Sequence, residues 1–234
     1  MRRLGALRGG VLAMVVLLVA PMAGAGGASA YVAEERPPKV GRKNLPTQAA
    51  VARLYPVVDG GERYISQGVR GIAAHAYEDC VRYTWVAGAD RGTTANYRTA
   101  LQGTGAYDGT PEADRPAIGG YRFTSVAEAE ATMDTFAEYV ERCTGLHDGE
   151  EGHTTDLTPL EAPDLGDEAI AFRLDVSWPR TQASDADDHE GYQQLRGLVR
   201  EGLSISIVTV NRTAGDPDPE PFLALLEVAT RRLR

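Results

Sequence analysis

The chain has 234 residues, 43% of them hydrophobic, and 33 acidic residues against 24 basic ones give a net charge of −9. That is enough chain to bury a core within one domain. The acidic balance argues against nucleic acid and anionic membrane surfaces as partners, because both need a basic patch.

The first thirty residues read as a secretory signal. Arg2, Arg3 and Arg8 form a basic start, residues 11–20 (VLAMVVLLVA) form an apolar run ended by Pro21, and Ala28-Ser29-Ala30 offers small residues for cleavage. A spanning helix needs about 20 apolar residues, so the run is short for an anchor, although an uncleaved anchor is the alternative. Cleavage after Ala30 removes three arginines and no acids, which leaves a secreted or envelope protein of charge −12. No later run is apolar enough to suggest a membrane span. Cys80 and Cys143 would then meet an oxidising compartment, where a pair of this kind is expected to bond.

Residues 31–46 are rich in charge and proline and poor in apolar groups, which predicts a flexible leader ahead of a single domain over 47–234. Thr47 can cap a short helix that Pro56 ends. Residues 76–86 carry aromatic and β-branched side chains near period two and predict a strand containing Cys80, Tyr83 and Trp85. Tyr121-Arg122-Phe123 reads as the end of another strand. The strongest helix signal covers residues 126–144. Ser125 and Glu128 offer a capping box, and Val126, Ala129, Met133, Phe136, Val140 and Cys143 recur at helical spacing, with Glu138 and Glu141 off the stripe. Gly145 suits the left-handed position after such a helix.

Residues 148–155 and 181–190 read as acidic loops flanking a strand over 169–176. Residues 192–200 and 203–210 form a hairpin about Glu201-Gly202, with Ile205 and Ile207 on a buried face and Ser204 and Ser206 on a wetter one. The chain closes with a helix capped by Asp218, with Phe222, Leu225, Leu226, Ala229 and Leu233 on one stripe and Arg231, Arg232 and Arg234 at its negative end. The order predicts an α+β domain: a twisted antiparallel sheet packed by two or three helices, with one disulfide.

No common catalytic motif is present: there is no nucleophile elbow, zinc-protease helix, phosphate loop or dinucleotide fingerprint. His147 and His153 lie among acids, and Asp185-Ala186-Asp187-Asp188-His189-Glu190-Gly191 loosely resembles a calcium loop. Its glycine is one place late and no distant glutamate closes it, so solvated loops are the preferred reading, with no metal and no cofactor. Asn211-Arg212-Thr213 fits a glycosylation sequon, and turn chemistry explains it as well.

The second half resembles a known family. Phe123 leads into a helix ending Phe136-Ala137-Glu138-Tyr139-Val140-Glu141-Arg142-Cys143. Gly166-Asp167-Glu168-Ala169-Ile170-Ala171-Phe172 follows, and then Val199-Arg200-Glu201-Gly202-Leu203-Ser204-Ile205 and an amphipathic helix. That order is similar to the secreted sensor-like domains of actinobacteria, related to the extracellular sensor domains of mycobacterial Ser/Thr receptor kinases. The resemblance implies an antiparallel sheet with packed helices, a ligand-binding cleft and no catalytic residues. The expectation is therefore an exported, non-catalytic ligand-binding or sensor-like domain that takes a small ligand or an envelope protein. An envelope protein-interaction module is the first rival and a hydrolase without a recognisable motif the second. Tyr83, Trp85 and Trp178 are candidate cleft residues, with core packing as their plainer role.

Overall fold

Cap residues and hydrophobic periods set the element order, and a computed structural model describes residues 40–61, 63–69, 72–75, 80–81, 83–86, 92–97, 114–149, 152–178 and 191–234. The Ca²⁺-like loop over 185–190 lies outside the described residues apart from its closing Gly191. A 3-10 turn (Arg42–Asn44) leads into α1 (Gln48–Ala52), whose Thr47 side chain accepts from the Ala50 N–H, and a second 3-10 turn (Pro56–Val58) follows. Then come β1 (Arg63–Val69), β2 (Ile72–His75), β3 (Tyr83–Val86), β4 (Gly92–Tyr97) and β5 (Arg115–Arg122). After them run α2 (Val126–Cys143), β6 (Gly145–Asp148), β7 (Thr154–Leu160), β8 (Glu168–Ser177), β9 (Gly191–Glu201), β10 (Ser204–Arg212) and α3 (Pro219–Leu233).

Eight strands form one antiparallel sheet in the order β1-β4-β5-β10-β9-β8-β7-β6, and β2 pairs with β3 in a separate hairpin. This is the α+β domain expected from the sequence. Helix α2 leaves β5 and delivers the chain to the far edge, and β6 to β10 then meander back until β10 pairs with β5.

Both faces of the sheet are covered near its centre. On one face α2 packs Ala129, Met133, Phe136, Tyr139 and Cys143 against Leu157, Phe172, Leu174, Leu198, Ile205 and Ile207, and Ile72 of the small hairpin joins them. On the other, α3 packs Phe222, Leu225, Leu226 and Ala229 on Ile118, Leu195, Val199, Val208 and Val210, beside Leu45, Val51, Tyr55 and Val58. The approach of α3 is close enough that a Cβ on Gly197 would lie 2.6 Å from Leu226 Cδ2.

The structure revises several expectations. Ser204 and Ser206 are buried rather than wet, because α3 covers their face of β10. Along α2, Val126 in the first turn is 42% exposed, while Tyr139 is buried and meets Phe172 edge-on at a centroid distance of 5.9 Å. The inward stripe thus leaves Val126 outside and takes in Tyr139, with Val140 partly buried against the same cluster. Residues 148–155, expected as an acidic loop, hold the end of β6 and the start of β7. Val40 and Leu45, within the stretch expected to be a flexible leader, are buried at the α3 end of β5. Asn211 lies in β10 rather than in a turn, and its side chain accepts from Gln194.

Cys80 and Cys143 are bonded, with Cα atoms 5.5 Å apart. The expected strand over 76–86 is shorter than its sequence pattern: β3 begins at Tyr83, and Cys80 sits in the β2–β3 connection with φ 58°. The bond therefore ties the last turn of α2 to a loop, and Cys143 is fully buried there.

The two sequence blocks around Gly166 and Arg200 are partners in one clasp. Asp167 N donates to the Arg200 carbonyl at 2.8 Å, and its carboxylate accepts from Gly202 N at 2.8 Å and from Arg200 Nη1 at 3.1 Å. Arg200 also reaches Glu168 at 3.4 Å and Glu130 of α2 at 3.6 Å. Gly166 makes the approach possible: its φ is +65° and a Cβ would lie 2.3 Å from the Arg200 carbonyl oxygen. Gly166→Ala is accordingly expected to cost about 1–3 kcal/mol from backbone strain at such a site. Urea unfolding reads this directly, and an unchanged midpoint would show that the clasp yields without cost.

Candidate functional site

The face carrying α3 is not covered along its whole width. Asp218 caps the helix by accepting from Glu220 N, and α3 packs on β5, β9 and β10; among the described residues no helix packs on β6, on the Thr154 end of β7 or on the Ser177 end of β8. Residues on that bare surface follow from the period of two. Thr154, Asp156 and Thr158 of β7 share it with Arg173, Asp175 and Ser177 of β8 and with Gln193 of β9.

The register lines these residues up. Asp156 pairs with Asp175, which pairs with Gln193, which pairs with Arg212. The neighbouring row is Thr154, Ser177 and Gly191, and the two hydroxyls are hydrogen-bonded at 2.5 Å. Together they line a cleft of about 280 Å³ closed on one side by Thr213, with Tyr192 and the Val176 backbone region completing its wall.

Arg173 is one cation of this surface. Its Nε lies 2.8 Å from Asp175 Oδ1 and its Nη2 lies 2.7 Å from Asp216 Oδ1, and these bonds, the Asp175 bond first, hold its guanidinium firmly charged. Gln193, with its amide turned so that nitrogen donates, reaches the carbonyls of Gly215 at 3.1 Å and Arg212 at 3.2 Å and so anchors the loop beside the cleft. Behind that loop, Arg212 pairs with Asp114 at 3.4 Å, and burial pushes the Asp114 carboxyl up from its ordinary range. The Tyr55 hydroxyl is buried without a hydrogen-bond partner, and burial reinforced by Asp114 and Asp218 raises it far above the usual phenol range, so it stays neutral.

Of the three aromatic residues singled out from the sequence, Trp178 follows β8 and its ring lies 6.0 Å from that of Tyr192, which pairs with Val176 in the row under α2 and not in the row of Asp175 and Gln193. Tyr83 and Trp85 lie two residues apart on β3, in the separate hairpin, paired with His75 and Ala73. Their side chains lie outside the described part of the structure. Asp175, Gln193 and Thr213 were not among the candidates, and Asp156 stood only among the acids around His147 and His153. Alternation along 154–158 and 173–177 was the available signal, but it shows a lining only once the register of β7 on β8 is known.

His147 lies on β6 opposite Thr155 and His153 is exposed; neither imidazole is hydrogen-bonded to a hydroxyl or thiol. Among the described residues no three His, Cys, Asp or Glu side chains converge on a metal position, and no helix is long and apolar enough to cross a bilayer.

The fold and cleft define a disulfide-tied α+β domain with a polar hollow on an open stretch of sheet. No protein-family model matches the chain, and no curated protein matches it. Among solved structures it is similar to the extracellular domain of PknH from Mycobacterium tuberculosis, with 11% identity, 81% of this chain and 93% of that one covered, and a TM-score of 0.49.

Proposed function

We propose that this is an exported, non-catalytic ligand-binding domain of sensor-like type, working in the bacterial envelope or outside the cell. The observation that carries the reading is the cleft of about 280 Å³ between β7–β9 and the loop at Thr213, whose lining offers polar groups converging on one hollow. The basic and apolar start of the chain supports export, and so does the buried disulfide, a bond that persists in oxidising compartments. The cleft also favours a small ligand over an envelope protein. Among the described residues the exposed large apolar side chains, Val57, Tyr64, Val126 and Leu146, fall on four different elements. Among the described residues neither His147 nor His153 is hydrogen-bonded to a hydroxyl or thiol, which gives a histidine-based hydrolase no support.

Native mass spectrometry of the protein secreted by its own host tests the reading. The expected spectrum contains an added small mass that disappears in Ser177→Trp, which places an indole at the exposed rim of the cleft. A spectrum of bare protein, together with identical melting of the two forms in host extract, would count against a ligand-binding role.

A further inference from the structure

The net charge of the chain conceals where its bases stand. The 3-10 turn at Arg42–Asn44 lies against the last turn of α3, where Asn44 Nδ2 donates to the Arg232 carbonyl at 3.4 Å. Arg42, Lys43 and Arg232 are all exposed there. Arg122 closes β5 at the same end of the sheet. It stands two residues beyond Gly120 on one face, and a Cβ on Gly120 would meet Leu233 at 2.8 Å and Val40 at 2.9 Å. Acids reach this end, but they are taken: Glu227 pairs with Arg231, and Glu201 pairs with Arg234 at 2.6 Å. Arg42, Lys43, Arg122 and Arg232 have no ion pair among the described residues, and the Arg122 Nε is buried without a hydrogen-bond partner. The dipole of α3 favours cations on its own last turn. Arg42, Lys43 and Arg122 come from other elements and converge on the same end.

We propose that this basic end is a docking surface for an anionic phospholipid bilayer, on which the domain stands with its cleft turned away. Cations gathered without acids repel one another, and a surface of phosphate headgroups supplies the missing counter-charge. The whole-chain charge of −9 does not forbid this. At about 0.15 M salt the screening length is about 8 Å, so the headgroups meet the patch and not the acids elsewhere on the molecule. The course of the chain selects a bilayer over a soluble polyanion. The chain enters the described fold at Val40, beside Leu233 within this patch, and upstream of it residues 11–20 are the apolar run read as an export signal. The choice of a bilayer rests on that exported reading and not on the cleft. The sheet sets the orientation. β9 runs from Gly191 in the cleft to Glu201 beside Arg234, and its 11 residues span about 35 Å. Docking by the Glu201 end therefore leaves the cleft open on the far side.

The test uses the secreted chain, with its disulfide intact, in co-sedimentation with two kinds of vesicle: phosphatidylcholine alone, and phosphatidylcholine mixed with phosphatidylglycerol. At about 0.15 M salt the chain is expected to bind the mixed vesicles only, and binding should vanish at about 1 M, where the screening length falls to about 3 Å. Arg232→Glu should weaken binding about tenfold or more, and Arg122→Gln about fivefold, as losses of charge facing an anionic surface. Arg53→Glu is the control. It makes the same charge change on an exposed base two residues before Tyr55, which lies within reach of the Asp218 charge at the opposite end of α3. That variant should bind as the wild type does, since the 15 residues of α3 put about 22 Å between its ends. Near-ultraviolet circular dichroism checks that each variant keeps its fold. The proposal is overturned by absence of binding to the mixed vesicles, by equal binding to phosphatidylcholine alone, or by equal losses in Arg232→Glu and Arg53→Glu. Tighter binding of polyphosphate, added as a soluble polyanion, than of the mixed vesicles also overturns it. Failure here leaves the ligand-binding reading standing, because the cleft is tested separately by the mass lost in Ser177→Trp.

Discussion

Phe136→Ala is expected to remove about 3–5 kcal/mol of stability, the cost of deleting a fully buried aromatic ring together with the cavity it leaves. Phe136 has no exposed surface and sits midway along α2, between Met133 and Tyr139, with the sheet beneath it. The Arg196 guanidinium lies 5.4 Å from the centroid of its ring, so truncation also takes away the aromatic face on which a largely buried cation rests. A domain of this kind has a margin of roughly 5–15 kcal/mol, so the loss should show as a large fall in the urea midpoint. Glu141→Ala, on the exposed side of the same helix, should cost under about 0.5 kcal/mol. Small, equal shifts for the two variants would mean that α2 does not hold the core of this face together.

Breaking the disulfide is expected to have an effect of similar size. The bond joins residues 63 positions apart, for which the chain-entropy argument gives roughly 4 kcal/mol. At about 2–4 °C per kcal/mol for a domain of this length, Cys143→Ser should melt some 8–16 °C lower than the oxidised protein. Cys80 itself lies at φ 58°, a costly conformation for a residue other than glycine, so its release offsets a part of this loss. Thermal melts of the variant and of the wild type under reducing conditions should agree with each other. An unchanged melting temperature in the variant would show that packing around Cys143 suffices without the bond.

The elements that could be read from the sequence are those whose signals are local. The Ser125 cap forms as expected, accepting from Glu128 N, although the Glu128 side chain turns to Thr124 N and Oγ1 instead of closing the box on Ser125. The Thr47 and Asp218 caps and the β9–β10 hairpin are equally local, with Gly202 at φ 55° in its turn. What stayed hidden depends on distant partners. Ser204 and Ser206 look like solvent-facing residues until α3 lies on them. Residues 148–155 look like one acidic loop until Asp148 pairs with Thr154 and β6 and β7 form a hairpin. The cleft belongs to the same group. Its lining comes from β7, β8, β9 and the loop after β10, and no short window of sequence contains it.

The order in which the strands lie side by side also bears on how the chain assembles. From β6 to β10 each strand pairs with its predecessor, so the meander can zip through short loop closures. The seam between β5 and β10 is different: Arg122 must find Ser204, and Arg115 must find Asn211, across the whole length of α2 and the meander. Pairings of such long sequence separation carry the largest closure entropy and set the pace of folding. This seam also unites the sheet's two parts, β1, β4 and β5 on one side and the meander on the other, so the rate at which it closes governs when both cores become complete.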